Sequence, residues 1–311
     1  MTFRRKIMGF LIGVTAASFA GLSGCSSQPD PWEKQPGPPR VVVSIPPLYS
    51  FVKQVGGDKV GVLCLCTQTG PHHYQANAHD SLALRQADLL LGIGLGLDEK
   101  FLDKIRSNSG NSKLKYVKLG EGEGLKKHVK KLEGGDDPHV WLGIETAQEL
   151  VTGIEVELKA VDPANAAYYA QNAKDYRQKL GDLQKDYLEK LRGKKDRKIL
   201  PMHDALGYFK DSFNLDIQEA IELMPGEKPG SERYRSLVDK CKEEKIHVIA
   251  TEPQYEEKEA ETLKTELKKK GVEVELIVID PLETADPKDL DADWYERKMR
   301  QNLDTLVEKL K

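Results

Sequence analysis

A long helical segment near the middle of the chain constrains the fold most. Within residues 162–193, apolar side chains recur at alternating steps of four and three, which places them on one face of an α-helix. These side chains are Tyr169, Ala173, Tyr176, Leu180, Leu183 and Tyr187. Asp162 can cap the helix, Pro163 suits its first turn, and Gly193 can end it. At 1.5 Å per residue the helix would be about 45 Å long, enough to connect two lobes.

Strand and helix patterns alternate on both sides of this segment. Strands are predicted at 41–45, 59–66, 88–94 and 113–119, and again at 197–202, 215–221, 248–253 and 272–280. This order predicts an α/β fold with two lobes, each a mostly parallel sheet flanked by helices, joined by one long interdomain helix. We therefore predict an N-terminal lobe at 41–161, the linking helix at 162–193 and a C-terminal lobe at 194–311.

The first 40 residues are predicted to lie outside the two lobes. Three basic residues at 4–6 precede an apolar run at 7–20, and the sequence LSGC then ends at Cys25. This pattern resembles a bacterial lipoprotein signal peptide at 1–25, which implies that Cys25 carries lipid and attaches the protein to a membrane. An ordinary secretory signal is the alternative. The Ser- and Pro-rich segment 26–40 is predicted to be a flexible tether.

Charge and cysteine content narrow the possible partners. The 47 basic and 50 acidic residues are interspersed and give a net charge of −3, so no basic stripe is available to bind nucleic acid. Besides Cys25, the chain contains Cys64, Cys66 and Cys241. Cys64 and Cys66 share one face of a predicted strand, where we expect small buried hydrophobic groups rather than a disulfide or a metal site.

Several histidines and carboxylates follow predicted strands. His72, His73 and His79 lie in the loop after the second strand, His139 lies in the sequence DPHVW, and His203 directly follows a strand. Glu252 and Asp280 end two later strands, where a carboxylate can also serve as a helix cap. Ligands of parallel sheets bind beyond the C-terminal strand ends, and imidazole suits zinc, copper, iron or nickel. From spacing alone the set is only suggestive, since a single loop histidine is usually solvated.

Short motifs along the mature chain resemble those of the zinc- and manganese-type solute-binding lipoproteins of bacterial ABC importers, the cluster A-I or cluster 9 family. The motifs are IPPLYSFVKQVGGDKV, GPHHYQ, ADLLLGIGLGLD, DPHVWL, DPANAAYYAQNA, HDALGYF, TEPQY and VIDPLE. The resemblance implies two α/β lobes with the metal between them. The metal ligands that it implies are His72, His139, His203 and Asp280. His73 and Glu252 are candidates for positions just behind these ligands.

The resemblance also implies a function and a metal. Manganese-type members commonly have Glu where this chain has His203, so we expect Zn²⁺, with Mn²⁺ or Fe²⁺ as the alternative. The loop at 120–136 lacks the His-rich insertion of many zinc-type members and contains only His128. We expect a monomer that binds the metal outside the cytoplasm and delivers it to an ABC permease.

We do not expect an enzyme, because four protein ligands close a zinc site, whereas a catalytic zinc usually keeps one position open. The competing hypotheses are a zinc-dependent hydrolase and an adhesin-like surface protein.

Overall fold

The computed structural model describes residues 30–311 except 133, 223–225, 227 and 256. The predicted signal peptide and Cys25 lie outside these residues. The strands are β1 (Arg40–Val43), β2 (Gly61–Cys64), β3 (Leu89–Gly92), β4 (Lys115–Lys118), β5 (Lys131–Leu132), β6 (Gly135–Asp136), β7 (Lys198–Pro201), β8 (Asp216–Ile217), β9 (Val248–Thr251) and β10 (Glu275–Val278). The α-helices are α1 (Pro46–Gly56), α2 (Ala78–Arg85), α3 (Glu99–Ser109), α4 (Glu123–Lys126), α5 (Ile144–Val161), α6 (Ala166–Leu191), α7 (Gly207–Phe213), α8 (Ser231–Glu244), α9 (Lys258–Lys269) and α10 (Trp294–Lys309).

The strands form two parallel sheets, one on each side of α6 in the sequence. The first has the order β2-β1-β3-β4 and the second the order β10-β9-β7-β8. The central strands are apolar and buried, as expected where helices cover both faces of a parallel sheet. β5 and β6 form a separate antiparallel hairpin. The predicted α/β fold with two lobes and a long connecting helix is confirmed.

The long helix α6 has 26 residues and begins at Ala166, after a 3₁₀ turn at Pro163–Asn165. Asp162 stabilises this turn, because its carboxylate accepts hydrogen bonds from the Tyr169 hydroxyl at 2.6 Å and from the Asn165 amide at 2.7 Å. All six residues of the predicted apolar face are buried. They pack against helices from both halves of the chain, including α1, α5, α7 and α10. The antiparallel neighbour α5 has no counterpart among the predicted helices.

The C-terminal helix α10 crosses back to the first lobe. The Tyr295 ring packs on Phe51 of α1 with a centroid distance of 4.6 Å, and its hydroxyl donates a hydrogen bond to the carbonyl of Trp141 at 2.6 Å. The Trp141 indole in turn donates to the carbonyl of Pro281 at 2.8 Å. One continuous apolar core therefore runs from the first sheet through α6 and α10 to the second, and a smaller core lies beneath α8 and α9.

The described part of the predicted tether lies against the first lobe. The Trp32 side chain is buried, its indole donates a hydrogen bond to the carbonyl of Ala83 at 3.0 Å, and Arg40 lies over its ring. From Asp30 onward the chain thus differs from the flexible tether that its Ser and Pro content predicts. A single large aromatic side chain buries enough apolar area to hold such a segment in place.

The described cysteines Cys64, Cys66 and Cys241 are free thiols. Burial raises the pKa of Cys241 to about 11, and it also raises the pKa of Cys64 and Cys66. Because the reactive form of cysteine is the thiolate, these side chains behave as small apolar groups.

The apolar face of α6 supplies a stability test. Leu180 is fully buried in the middle of the helix, whereas Leu188 on the same helix is 37% exposed. We expect Leu180→Ala to lower the free energy of unfolding by about 2–5 kcal/mol through lost burial and the cavity left behind. Leu188→Ala should change it by less than about 0.5 kcal/mol. Urea denaturation of both variants checks this, and equal losses would contradict the packing described for α6.

Candidate metal centre

The three predicted histidines and Glu283 come together between the two lobes. His72 lies in a 3₁₀ turn after β2, and His139 precedes another 3₁₀ turn before α5. His203 follows β7, and Glu283 follows β10. Two of the four side chains therefore precede α6 in the sequence and two follow it. Their loops meet because the C-terminal ends of the parallel strands in both lobes face the cleft.

One ligand atom from each of the four side chains lies within 4.8 Å of the other three. The Nε2 atoms of His139 and His203 are 3.4 Å apart. Glu283 Oε1 is 3.2 Å from Nε2 of His72 and 3.6 Å from Nε2 of both His139 and His203. Zinc binds protein N and O atoms at about 2.0–2.1 Å, so the ligand atoms of a tetrahedral site are about 3.3 Å apart. The observed separations therefore fit a tetrahedral Zn²⁺ site.

The hydrogen-bonding state of these atoms also indicates a cation site. Glu283 Oε1 and His72 Nε2 are buried and have no hydrogen-bond partner among the described residues. The Glu283 side chain has no exposed surface, and the His72 side chain is 10% exposed. Buried polar atoms without partners are rare in native proteins, and a bound metal ion would satisfy both.

Two further carboxylates orient the histidines from behind. Asp137 Oδ1 lies 2.9 Å from His139 Nδ1 and accepts a hydrogen bond from the backbone N–H of His139 at 3.0 Å. Glu252 Oε1 has the same relation to His203, at 2.6 Å from Nδ1 and 3.3 Å from the backbone nitrogen. A carboxylate on Nδ1 selects the tautomer whose Nε2 lone pair faces the centre of the cluster, and it makes the imidazole a stronger ligand.

The charges of the cluster are strongly coupled. Burial opposes protonation of His203, but Glu252 and Glu283 outweigh it and raise the pKa of His203 to about 10. Burial likewise opposes protonation of His139, yet Asp137 and Glu283 raise its pKa. Burial also opposes ionisation of Glu283, but the facing imidazoles hold its pKa well below the usual range. Without metal, the ionised Glu283 carboxylate thus favours the protonated forms of His139 and His203.

The structure departs from the sequence-based expectation at the fourth ligand. Asp280 does not lie in the four-residue group. Its Oδ1 accepts a hydrogen bond from the backbone N–H of Leu282 at 2.8 Å, and its Oδ2 pairs with Lys298 at 3.1 Å. Leu282 has a positive φ of 65°, which turns the chain sharply and brings Glu283 into the cluster.

The remaining candidates lie at different distances from the cluster. Glu252 lies directly behind His203, where it was expected. His73 is exposed, and its ring centroid is 6.3 Å from that of Tyr255. His79 is exposed on α2, and His128 faces Glu145 with 3.5 Å between Nδ1 and Oε2.

Sequence reasoning did not identify Asp137, Tyr255 or Glu283 as functional residues. Asp137 and Glu283 could have been considered as site residues from the sequence, because each lies within three residues of a predicted ligand. Tyr255 is the last residue of the motif TEPQY, which also contains Glu252, and its hydroxyl donates a hydrogen bond to Glu283 Oε2 at 3.2 Å. No local pattern distinguishes such a tyrosine from one that only packs.

Three imidazoles and a carboxylate, held between two α/β lobes that share a long helix, define the class of metal solute-binding proteins of ABC importers. Within this class, the chain belongs to the family described as "Zinc-uptake complex component A periplasmic" (ZnuA), whose model matches residues 41–309. Proteins of this family are binding proteins and not enzymes. Among the described residues, no helix has the length and apolar character needed to cross a membrane.

Individual relatives extend over nearly the whole chain. The high-affinity zinc uptake system protein ZnuA of Bacillus subtilis (strain 168) is 28% identical over 318 residues, covering 96% of each chain. The metal ABC transporter substrate-binding lipoprotein ScbA of Streptococcus cristatus is 25% identical, covering 94% of this chain and 96% of its own. The solved structure of FpvC from Pseudomonas aeruginosa in complex with Mn²⁺ is 27% identical, with a TM-score of 0.76, and covers 87% of this chain and 97% of its own.

The raised pKa values of His139 and His203 lead to a prediction for the pH dependence of metal binding. A metal binds only the neutral imidazole. Because the raised pKa values keep His139 and His203 protonated up to a higher pH, each must lose its proton before it can bind the metal. We expect the apparent affinity for Zn²⁺ to strengthen by about tenfold per pH unit between pH 6 and 8 for each proton displaced. Competition titrations against a chelator at several pH values measure this. An affinity that is constant above pH 6.5 would instead indicate imidazoles with ordinary pKa values.

Proposed function

We propose that this protein binds Zn²⁺ outside the cytoplasmic membrane through His72, His139, His203 and Glu283 and delivers it to an ABC permease. Four of the six distances between the ligand atoms are 3.2 to 3.6 Å, and this spacing carries the proposal. That spacing matches a tetrahedral zinc site, and the family to which the chain belongs is described by zinc uptake.

The chemistry of the ligands favours zinc over manganese. Three imidazole nitrogens and one carboxylate oxygen suit Zn²⁺, whereas Mn²⁺ is better served by oxygen ligands and a higher coordination number. Mn²⁺ is nevertheless the second candidate, because FpvC shares the fold and its structure contains Mn²⁺. The affinity order of divalent metals also places zinc above manganese at a given site.

The division of the four ligands between the two halves of the chain provides a way to release the metal for delivery. His72 and His139 come from the part of the chain before α6, and His203 and Glu283 come from the part after it. A relative movement of the lobes would therefore divide the site into two pairs of ligands, and each pair alone would bind the ion more weakly. Family membership implies that an ABC permease is the partner that receives the metal.

Attachment to the membrane is the remaining part of the proposal. The sequence LSGC at Cys25 supports lipid modification of this cysteine, and the relative ScbA is named a lipoprotein. Cys25 lies outside the described residues, so mass spectrometry of the protein purified from membranes is the direct test. We further propose that the protein acts as a monomer, because one chain supplies all four ligands of the cluster.

The identity of the fourth ligand can be tested with two carboxylate variants. We expect Glu283→Ala to weaken Zn²⁺ binding more than about 100-fold, since it removes a ligand. It should also abolish most of the stabilisation by zinc, which is roughly 4 kcal/mol at a metal concentration 1,000 times the Kd. Asp280→Asn is the matched control, because it retains the acceptor for the Leu282 N–H.

Both variants are compared by competition titration and by thermal unfolding with and without Zn²⁺. Asp280→Asn should bind zinc within about threefold of wild type, because it changes only the ion pair to Lys298 and Asp280 does not belong to the four-residue group. If Asp280→Asn were as damaging as Glu283→Ala, the proposed ligand set would be wrong. If wild-type protein took up no zinc at all, the proposed function itself would fail.

His203 is the ligand that we expect to set the preference between the two metals most strongly. His203→Glu replaces a nitrogen ligand with a carboxylate, which adds a negative charge and a second oxygen. We expect the ratio of the Mn²⁺ Kd to the Zn²⁺ Kd to fall by roughly tenfold without inverting, because the intrinsic order still favours zinc. Parallel titrations with both metals measure the ratio, and an unchanged value would place His203 outside the coordination shell.

A further inference from the structure

The two carboxylate oxygens of Glu283 have different surroundings. Oε1 faces Nε2 of all three histidines, at 3.2 Å from His72 and 3.6 Å from His139 and His203. Oε2 points away from this centre and accepts a hydrogen bond from the Tyr255 hydroxyl at 3.2 Å. The carboxylate thus offers one oxygen to a metal and the other to a phenol.

The surrounding residues hold this arrangement in place. Glu283 is completely buried. Gly70, two residues before His72, lies so close that a Cβ added to it would be 3.0 Å from Oε2. The Tyr255 ring lies between those of His73 and His203, with centroid distances of 6.3 Å and 6.2 Å. The carboxylate therefore has little freedom to rotate, and the phenol that contacts it is itself packed.

The phenol can act only as a hydrogen-bond donor here. A carboxylate oxygen that carries no proton can only accept a hydrogen bond, so the Tyr255 hydroxyl is the donor of the bond to Oε2. The hydroxyl occupies one of the two lone pairs of Oε2 and thereby holds this oxygen in its present orientation. If both oxygens turned toward the metal, a buried hydroxyl would lose its partner, which is unfavourable.

We propose that Tyr255 is a positioning residue that sets metal selectivity by keeping Glu283 monodentate. This inference rests on the proposed function, because it concerns the same site. With one oxygen from Glu283 the site has four ligands and the tetrahedral geometry typical of zinc. With both oxygens it has five, and the added oxygen favours Mn²⁺, which prefers more oxygen ligands and a higher coordination number.

Tyr255→Phe is the direct test, because it removes only the hydroxyl and retains the ring beside His73 and His203. The ratio of the Mn²⁺ Kd to the Zn²⁺ Kd should fall by about tenfold, within the range seen when a group behind a metal ligand is removed. Tyr187→Phe is the matched control. It also removes a phenol that donates to a carboxylate, Asp304 at 2.6 Å, but its hydroxyl lies on α6 outside the site. This variant should leave the ratio unchanged.

A spectroscopic measurement and a double variant separate positioning from a general structural effect. Co²⁺-loaded wild type should show the strong visible absorption of a four-coordinate ion, and Tyr255→Phe should show the weaker bands of a five-coordinate ion. In Glu283→Gln, the amide offers only one oxygen to the metal. Adding Tyr255→Phe to this variant should therefore not change the selectivity further.

The outcomes distinguish this inference from the proposed function. If wild type binds zinc while Tyr255→Phe retains both the wild-type ratio and a four-coordinate Co²⁺ spectrum, the role of Tyr255 is refuted and zinc binding stands. An equal fall in the ratio in the Glu283→Gln background would also refute it, since the effect would then not pass through Oε2. Thermal unfolding without metal verifies that each variant is folded. If wild type binds neither metal, the proposed function fails instead.

Discussion

The burial of one carboxylate is the constraint on which the rest of the site depends. An ionised Glu283 with no contact to water is very unfavourable unless positive charge lies next to it. His139 and His203, whose pKa values are raised, provide that charge when they are protonated, and a divalent cation provides it when it replaces their protons. The site therefore exchanges protons for metal while the carboxylate stays ionised. Asp137 and Glu252 contribute in a similar way from behind the histidines. Each lies at Nδ1 of one histidine and stabilises it both when it is protonated and when it binds metal.

This arrangement requires that two lobes be held close together. The long helix α6 packs against helices from both halves of the chain, and α10 returns from the second sheet to pack against α1. Hydrogen bonds also connect the two halves near the metal centre. They include the backbone hydrogen bond from Ala285 to the carbonyl of Thr67 at 2.8 Å, the bond from Trp141 to Pro281, and the bond from the Tyr208 hydroxyl to the carbonyl of Asp137 at 3.0 Å. The two halves are thus joined both along α6 and α10 and beside the ligands themselves.

Much of the fold could be predicted from the sequence, since periodicity specifies buried strands and helix faces directly. The exceptions have physical reasons. Helix α5 was not predicted although its buried residues, such as Ala147, Val151, Ile154 and Leu158, have helical spacing. The helix begins just after the loop motif DPHVWL, which contains His139. Trp32 was assigned to a tether because local composition does not reveal that one aromatic side chain finds a pocket far along the chain.

Part of the candidate site could be predicted from the sequence, but the residues whose positions depend on local backbone geometry could not. Placement after strands, together with the resemblance of the motifs, identified three histidines that the structure brings together. It gave Asp280 as the fourth ligand and did not identify Glu283, whose position depends on the left-handed conformation of Leu282. Tyr255 and Asp137 act on neighbours through single hydrogen bonds, which have no periodic signature in a sequence.

The burial of Trp32 has a consequence for how the protein searches for its partner. Only six residues lie between Cys25 and Trp32, and the seven steps from one to the other span at most about 25 Å. With lipid on Cys25, as proposed, the first lobe would be confined to a thin layer above the bilayer. A short lipid-anchored segment of this kind raises the local concentration of the binding protein around partners that are embedded in the membrane. Encounter with the permease then becomes a search in two dimensions, and its rate depends on the density of both proteins in the membrane.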